Sequence, residues 1–183
     1  MTIDIAVGKL ISPEKDIPAL EKLADECFGS IYKKPDGKRI RDVIRPWLDD
    51  PAKGAVFAYS NGDIVGFCFY ELNATSGYND PGKYYREAIA KSGKSIVYSG
   101  NSVSVQFIAI ADGYKNAGIG KMLSEAALID LRSKGISQIW VTCWMKQGTS
   151  ILHLARSFGM QEVYHFHKHY IDGSGGIILY LEI

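Results

Sequence analysis

Three of the four histidines in this 183-residue sequence fall at alternate positions, in the stretch VYHFHKHYIDG from Val163 to Gly173. Alternation on a β-strand places His165, His167 and His169 on one face and Tyr164, Phe166 and Tyr170 on the other. Two neighbouring histidines of such a row can chelate one zinc ion, with further ligands converging from elsewhere. All three span roughly 13 Å at about 3.3 Å per residue, so one tetrahedral ion cannot hold them. No cysteine or acid pattern points at them. They are expected to face water or a partner, with a proton relay as the second use, and no metal is expected.

A second constellation is ADGYKNAGIGKML, Ala111 to Leu123, where a strand becomes a helix through a glycine-rich turn. A phosphate-binding GxxxxGK[ST] loop fails here, because Ile119 stands where lysine is required. A dinucleotide GxGxxG fingerprint fails as well, because Leu123 replaces the third glycine. The physics of the turn still holds: glycines expose backbone N–H groups at a helix start, and the helix dipole favours an anion there. Lys115 and Lys121 add positive charge. A phosphate or pyrophosphate is the expected guest; a tight turn needing glycine for geometry alone is the competing reading.

The elements that must position these residues follow from periodicity. IDIAVGKL reads as a first strand, and SPEKDIPALEKLADECFG as a helix with Ile17, Leu20, Leu23, Ala24 and Cys27 inside. RIRDVIRPWLDD reads as a short second helix, bent or ended near Pro46. GAVFAYSNGDIVGFCFYEL is a hairpin about Asn61 and Gly62. KYYREAIAKSG is a short helix whose paired tyrosines suit either a lid or surface packing; KSIVYSGN is a short strand or a loop. SVSVQFIAIA is a strand. GKMLSEAALIDLRSKG is an amphipathic helix with Met122, Leu123, Ala126, Ala127, Ile129 and Leu131 inside. SQIWVTCW is a strand, TSILHLARSFG a helix capped by Thr149 or Ser150, and the last two strands close a hairpin. Strand–helix–strand over 102–143 makes a parallel pair by crossover handedness. The result is an α/β (α+β) fold, a mixed, mostly antiparallel sheet with helices on both faces.

Apolar residues are 46% and charged residues 22%, with a net charge of +1. This is an ordinary globular balance in one domain, residues 1–183, with no general attraction to nucleic acid or an acidic membrane. No run approaches the roughly 20 apolar residues of a membrane span, and the N-terminus is not a secretory signal. Cys27, Cys68 and Cys143 are widely spaced, which fits neither a disulfide framework nor a zinc knuckle. A reducing cytoplasm is expected.

Strand VQFIAIA, then DGYKNAGIGKML, helix, QIWVTC, helix, SFGM and HYIDGSGGIILYLEI together resemble the GNAT superfamily of acetyl-CoA-dependent N-acetyltransferases. The motif stands as Lys115-Asn116-Ala117-Gly118-Ile119-Gly120, with lysine where the family has Arg or Gln. Gly159-Met160 resembles the family's Gly-Phe. The closing HYIDGSGGIIL is similar to the ending of ribosomal-protein N-terminal acetyltransferases. The likeness is firm over about 102–183 and looser over 1–72; residues 73–101 form an extended insertion between the third and fourth strands.

The resemblance implies a splayed parallel strand pair. The pantetheine arm of acetyl-CoA would pair with backbone groups of Ile108, Ala109 and Ile110. The pyrophosphate would rest on N–H groups of Asn116, Ala117, Gly118, Ile119, Gly120 and Lys121, beside Lys115. Transfer to an amine needs the amine neutral, hence a base or water chain, and an N–H donor for the carbonyl oxygen, for which the Ile108 amide is the candidate. The family's tyrosine acid falls at Ala155, its asparagine at Gly148, and its glutamate base at Thr142 or Cys143, so these roles need substitutes. Tyr170 and Glu71 are the catalytic candidates; Tyr32, Glu71, Tyr164 and Tyr170 are the acceptor-site candidates. Gln106 could orient a water. Cys143 could carry an acyl group, but a buried small hydrophobe is its expected role. A non-catalytic acyl-CoA-binding module is the alternative from another class. An exposed edge strand after residue 160 could pair two copies.

Overall fold

The computed structural model describes residues 2–29, 40–72, 81–144, 149–167 and 175–183. The elements are β1 (Asp4–Val7), α1 (Pro13–Phe28), α2 (Ile44–Asp49), β2 (Lys53–Ser60), β3 (Asp63–Leu72), α3 (Pro81–Ser92), β4 (Ser102–Ile110), α4 (Ile119–Ser133), β5 (Gln138–Trp144), α5 (Thr149–Ser157), β6 (Gln161–Phe166) and β7 (Gly176–Glu182). The strands run β1-β2-β3-β4-β5-β7-β6 across one mixed sheet, with β4 and β5 parallel. The backbone forms two compact units: residues 1–70 with 107–131, and residues 71–106 with 132–183.

In the first unit, β2 and β3 are buried without interruption over Ala55–Ser60 and Val65–Tyr70. Such runs mark strands covered on both faces. On one face Phe57, Tyr59, Phe67 and Phe69 pack against Leu20, Leu23 and Ala24 of α1 and Ile44 and Trp47 of α2. On the other, Tyr70 donates a hydrogen bond to Asp130 of α4. Gly66 keeps α4 close: a Cβ there would lie 3.3 Å from Leu123 Cδ1 and 3.0 Å from the Ala109 carbonyl. The hairpin turn has Asn61 at φ +52° and Gly62 at φ +78°, the pair of left-handed residues that a two-residue hairpin demands.

Asp16 is a buried charge that helical periodicity does not reveal. It is 1% exposed, and its carboxylate accepts hydrogen bonds from the Ser12 N–H (2.8 Å) and the Tyr59 hydroxyl (2.9 Å). It caps the start of α1 and ties it to β2. Pro46 neither bends nor ends a helix. A 3-10 turn over Ile40–Val43 precedes α2, so Pro46 falls in the first turn of α2, where its missing N–H has no partner to lose. In α4 the buried stripe is Ile119, Leu123, Ala127 and Leu131. Ile129, expected inside, is 70% exposed, and Met122 and Ala126 are half-buried. A strict four-residue row suffices to cover the strands.

In the second unit, β7 pairs antiparallel with β5 on one side and β6 on the other. One face carries Tyr85 and Ala88 of α3 against Trp140, Val163, Ile178 and Tyr180. The opposite face carries Cys143, Ala155, Ile177 and Leu179. Residues 94–99 form no strand. The buried Gln138 side chain holds them instead: its amide donates to the Val97 carbonyl (2.7 Å) and its Oε1 accepts from the Ser99 N–H (2.8 Å). Helix α5 begins at Thr149, one of the two expected cap positions, and the residue before it lies outside the described residues.

Candidate active site

The turn after β4 forms because its residues depart from helix and strand at named points. The Ala111 N–H donates to the Val65 carbonyl (2.9 Å), holding the strand end on β3. A 3-10 turn over Asp112–Tyr114 follows, and then Asn116 (φ +64°) and Gly118 (φ +78°) take left-handed conformations. Helix α4 starts at Ile119, and the Met122 N–H donates to the Gly118 carbonyl (3.1 Å). The N–H groups of Ile119, Gly120 and Lys121 therefore precede the first intrahelical bond and point out of the helix start. Lys115 to Gly118 and Lys121 are exposed.

Lys115 pairs with Asp112, and that hydrogen bond pushes its ammonium above the usual lysine value, so it stays cationic. Lys121 lies 3.8 Å from Glu125. This arrangement suits a pyrophosphate: N–H donors, a helix start and two cations. Ile119 contributes its N–H alone, since its side chain is 1% exposed in the core.

Along β4, the Ala109 carbonyl and the Ala111 N–H both face β3. Strand alternation therefore turns the backbone groups of Ile108 and Ile110 to the opposite edge. The Cys27 thiol donates weakly to the Ile110 carbonyl (3.9 Å), and burial raises it above the usual thiol value.

The β4–β5 ladder runs from Ser102↔Gln138 to Val105↔Val141, shorter than either strand. Tyr85 stacks on Trp140, the ladder partner of Ser104, at 4.8 Å. Burial pushes its hydroxyl up to about 12, Tyr98 and Glu71 adding to the shift and the Ser104 and Thr142 side chains opposing it. Glu71 is half-buried at the end of β3. The spacing of Tyr84 and Tyr85 suits either a lid or a packed surface. Tyr85 is core, 4% exposed and stacked on Trp140 at 4.8 Å, while Tyr84 stacks on Phe166 at 5.5 Å. The helical spacing of Tyr85 and Ala88 was the available signal.

The remaining candidates divide clearly. Tyr164 is half-buried, edge-on to Phe166 at 4.9 Å. Gln106 is exposed on β4. Tyr32, Tyr170, His169 and Gly148 lie outside the described residues. Ala155, 7% exposed, sits in an apolar cluster with Cys143, Ile177 and Leu179. Burial pushes the Cys143 thiol up to about 12, too high for a nucleophile at neutral pH.

The histidine row is shorter than alternation suggests. β6 ends at Phe166, where its pairing with β7 runs out at Gly176, so His167 is not on the strand. The ladder also shifts register between Glu162 and Tyr164. That bulge lets Glu162 and His165 meet, with Nε2 3.0 Å from Oε2. Arg156 and then His165 hold the Glu162 carboxyl below its usual value. Among the described residues no group of three His, Cys, Asp or Glu side chains could hold a metal ion. None of the described helices is long and apolar enough to cross a membrane.

Three comparisons bear on this geometry. The model of the acetyltransferase (GNAT) family matches residues 17–160. Comparison with curated proteins returned no significant match. Among solved structures, the chain is similar to the ribosomal-protein-S18-alanine N-acetyltransferase from Escherichia coli, with 16% identity and a TM-score of 0.67 over 100% of this chain and 94% of that one. It is also similar to the ribosomal-protein-alanine N-acetyltransferase from Brucella melitensis, with 14% identity and a TM-score of 0.70 over 100% of both chains. The NatC complex bound to Gag peptide and CoA gives 15% identity and a TM-score of 0.72 over 100% of this chain and 99% of that one. At these identities the structural likeness carries the fold alone.

Proposed function

The chain belongs to the acetyltransferase (GNAT) family, and from that premise we propose that it moves an acetyl group from acetyl-CoA to a primary amine by direct transfer in a ternary complex. The acceptor is a protein N-terminus or a small amine or amino-acid derivative. The whole chain serves as one N-acetyltransferase domain. The observation that carries the reading is the turn from Lys115 to Lys121, with its two left-handed residues, outward N–H groups and two lysines.

Acetyl-CoA supplies the activated thioester. The Asn116–Lys121 amides and Lys115 bind its pyrophosphate, and the outward backbone groups of Ile108 and Ile110 pair with the pantetheine arm. The Ile108 N–H donates to the thioester oxygen as charge develops there. A cationic amine must lose its proton before attack; Glu71 takes it, directly or through water, and Tyr170 returns one to the leaving thiolate. Tyr32, Tyr164 and Tyr170 border the acceptor. The three free thiols fit a cytoplasmic setting.

A second reading is a non-catalytic acyl-CoA-binding module. It is favoured by Ala155, a methyl group in an apolar cluster at the position of the family's tyrosine acid. Thermal shift with acetyl-CoA, followed by turnover against an amine panel, separates them. A rise in melting temperature with turnover supports the enzyme; a rise without turnover supports the module; no rise overturns both.

A further inference from the structure

Resting on the acetyltransferase reading above, with Tyr164 at the acceptor, we infer that Lys91 is a specificity-determining residue. Its ammonium, held over the Tyr164 ring, selects among amine acceptors the amino acid that carries a free carboxylate.

The geometry lies wholly within the second unit. Helix α3 runs along β6 in the opposite direction. Tyr84 stacks on Phe166, at 5.5 Å and 13°, and two turns later the Lys91 ammonium lies 6.0 Å from the centre of the Tyr164 ring. Gly93, at φ +66°, follows the last helical residue, and Lys94 then donates to the Glu162 carbonyl. Residues 84, 91 and 94 thus meet residues 166, 164 and 162 in turn. The place of Lys91 follows from the packing of a helix on a strand, with a contact to either side of it.

The charge at this spot has one sign. Lys91 is exposed, and among the described residues it has no ion pair, not even with Glu87 one turn before it. Glu162, two positions before Tyr164 on β6, is taken by Arg156 (3.1 Å) and His165 (3.0 Å). An ammonium pairs with an anion and repels a second cation. Lys91 also occupies the ring face of Tyr164 that could have received a cation, while the Tyr164 hydroxyl is able to donate to an anion. Of the acceptors open to the transfer, a small diamine would bring a like charge to Lys91. An amino acid brings a carboxylate close to the amine that is to be acetylated, and Lys91 holds it there.

The test measures kcat/KM of the full chain with acetyl-CoA for amino acids, their C-terminal amides and simple diamines, in the wild type and in Lys91→Met, Lys91→Arg and Lys91→Glu. Comparing the acid-to-amide ratio of each variant with that of the wild type cancels the different basicities of the two amines. Lys91→Met is expected to lose about three- to fivefold of the preference for acids, the scale of one exposed charge pair. Lys91→Arg keeps the preference, Lys91→Glu turns it towards amides, and the dissociation constant for acetyl-CoA stays within about twofold in all three. Salt at about 0.5 M should erode the wild-type preference by screening and leave that of Lys91→Met as it is; a merely structural role of Lys91 would move neither. An unchanged ratio in Lys91→Met, or a wild type that acetylates amides or diamines but no acid, would overturn the inference and leave the acetyltransferase reading standing. Were Lys91→Met to fail to fold, a wild-type preference unmoved by salt would overturn it equally. Absence of turnover with any amine would overturn the acetyltransferase reading and this inference with it.

Discussion

Tyr59 and Asp16, 43 residues apart, share a 2.9 Å hydrogen bond in the core of the first unit. The same carboxylate oxygen accepts from the Ser12 N–H, and the Tyr59 oxygen accepts from the Ile11 N–H at 3.2 Å. The pair links the start of α1 to β2. Tyr59→Phe removes one bond to a buried carboxylate and is expected to cost about 1.5–3 kcal/mol. Urea denaturation with an unchanged m-value checks it; a loss under about 0.5 kcal/mol would mean the network is dispensable.

The same tyrosine gives a pH prediction. Burial first, and then its hydrogen bond with Asp16, push the Tyr59 hydroxyl from its ordinary 10 up to about 12. A folded value above the unfolded one means the folded chain holds the proton more tightly. The resulting stability is whole below pH 10 and is lost as pH climbs through 12. Burial likewise raises the Cys68 and Cys143 thiols from 9 to about 12. The melting temperature should therefore fall from about pH 9 upward. Tyr59→Phe should flatten that fall between pH 10 and 12; an identical slope would remove Tyr59 from the account.

Gly54 makes room for Tyr70. A Cβ at Gly54 would lie 2.0 Å from Cε2 of the Tyr70 ring, which is 1% exposed with its hydroxyl on Asp130. Gly54→Ala is expected to cost about 2–3 kcal/mol by overpacking. Ile129→Lys, at a 70% exposed position, should change stability by less than about 0.5 kcal/mol. Melting curves of the two variants should separate by several degrees; equal curves would contradict the packing described for β2 and β3.

In the turn, Gly120→Glu places a negative charge where phosphate is proposed to rest. The variant should fold and bind CoA at least about tenfold more weakly, by calorimetry. Gly118 is the poorer position to test, since φ +78° strains any side chain there. Wild-type affinity in folded Gly120→Glu would discard the turn as the CoA site.

Cys143 is 2% exposed with a raised thiol value, so Cys143→Ala should keep kcat within about twofold. Thiol labelling of the native chain should modify half-buried Cys27 before Cys68 and Cys143. Loss of activity in a folded Cys143→Ala variant would point to a covalent acyl carrier instead.

Much of the fold was legible because its signals are local. The Asn61-Gly62 hairpin, the Leu20, Leu23 and Ala24 stripe of α1 and the strand-to-helix turn before α4 are written in neighbouring residues and form as read, while Ile17 and Cys27, expected inside, are half-buried. His165 and His167 are exposed, as expected, but they do not share one strand, because alternation assumes an unbroken strand whereas β6 has a bulge and stops with its partner at Phe166. Residues 94–99 could be read only as a short strand or a loop, and they are a loop, because their backbone bonds to the distant Gln138 side chain, about 40 positions away. Ile129 failed because hydrophobicity predicts burial only where something covers the residue.

The sequence by itself determined the glycine-rich strand-to-helix turn over Lys115–Gly120 and the order of strands and helices. These depend on residue type and spacing along the chain. Tertiary structure alone decided that Asp16 is buried, that Glu162 meets His165, and that Tyr85 stacks on Trp140. Each of these rests on which atoms meet in space. That is set by packing between elements and by strand register, and a one-residue slip in register exchanges the two faces of a strand.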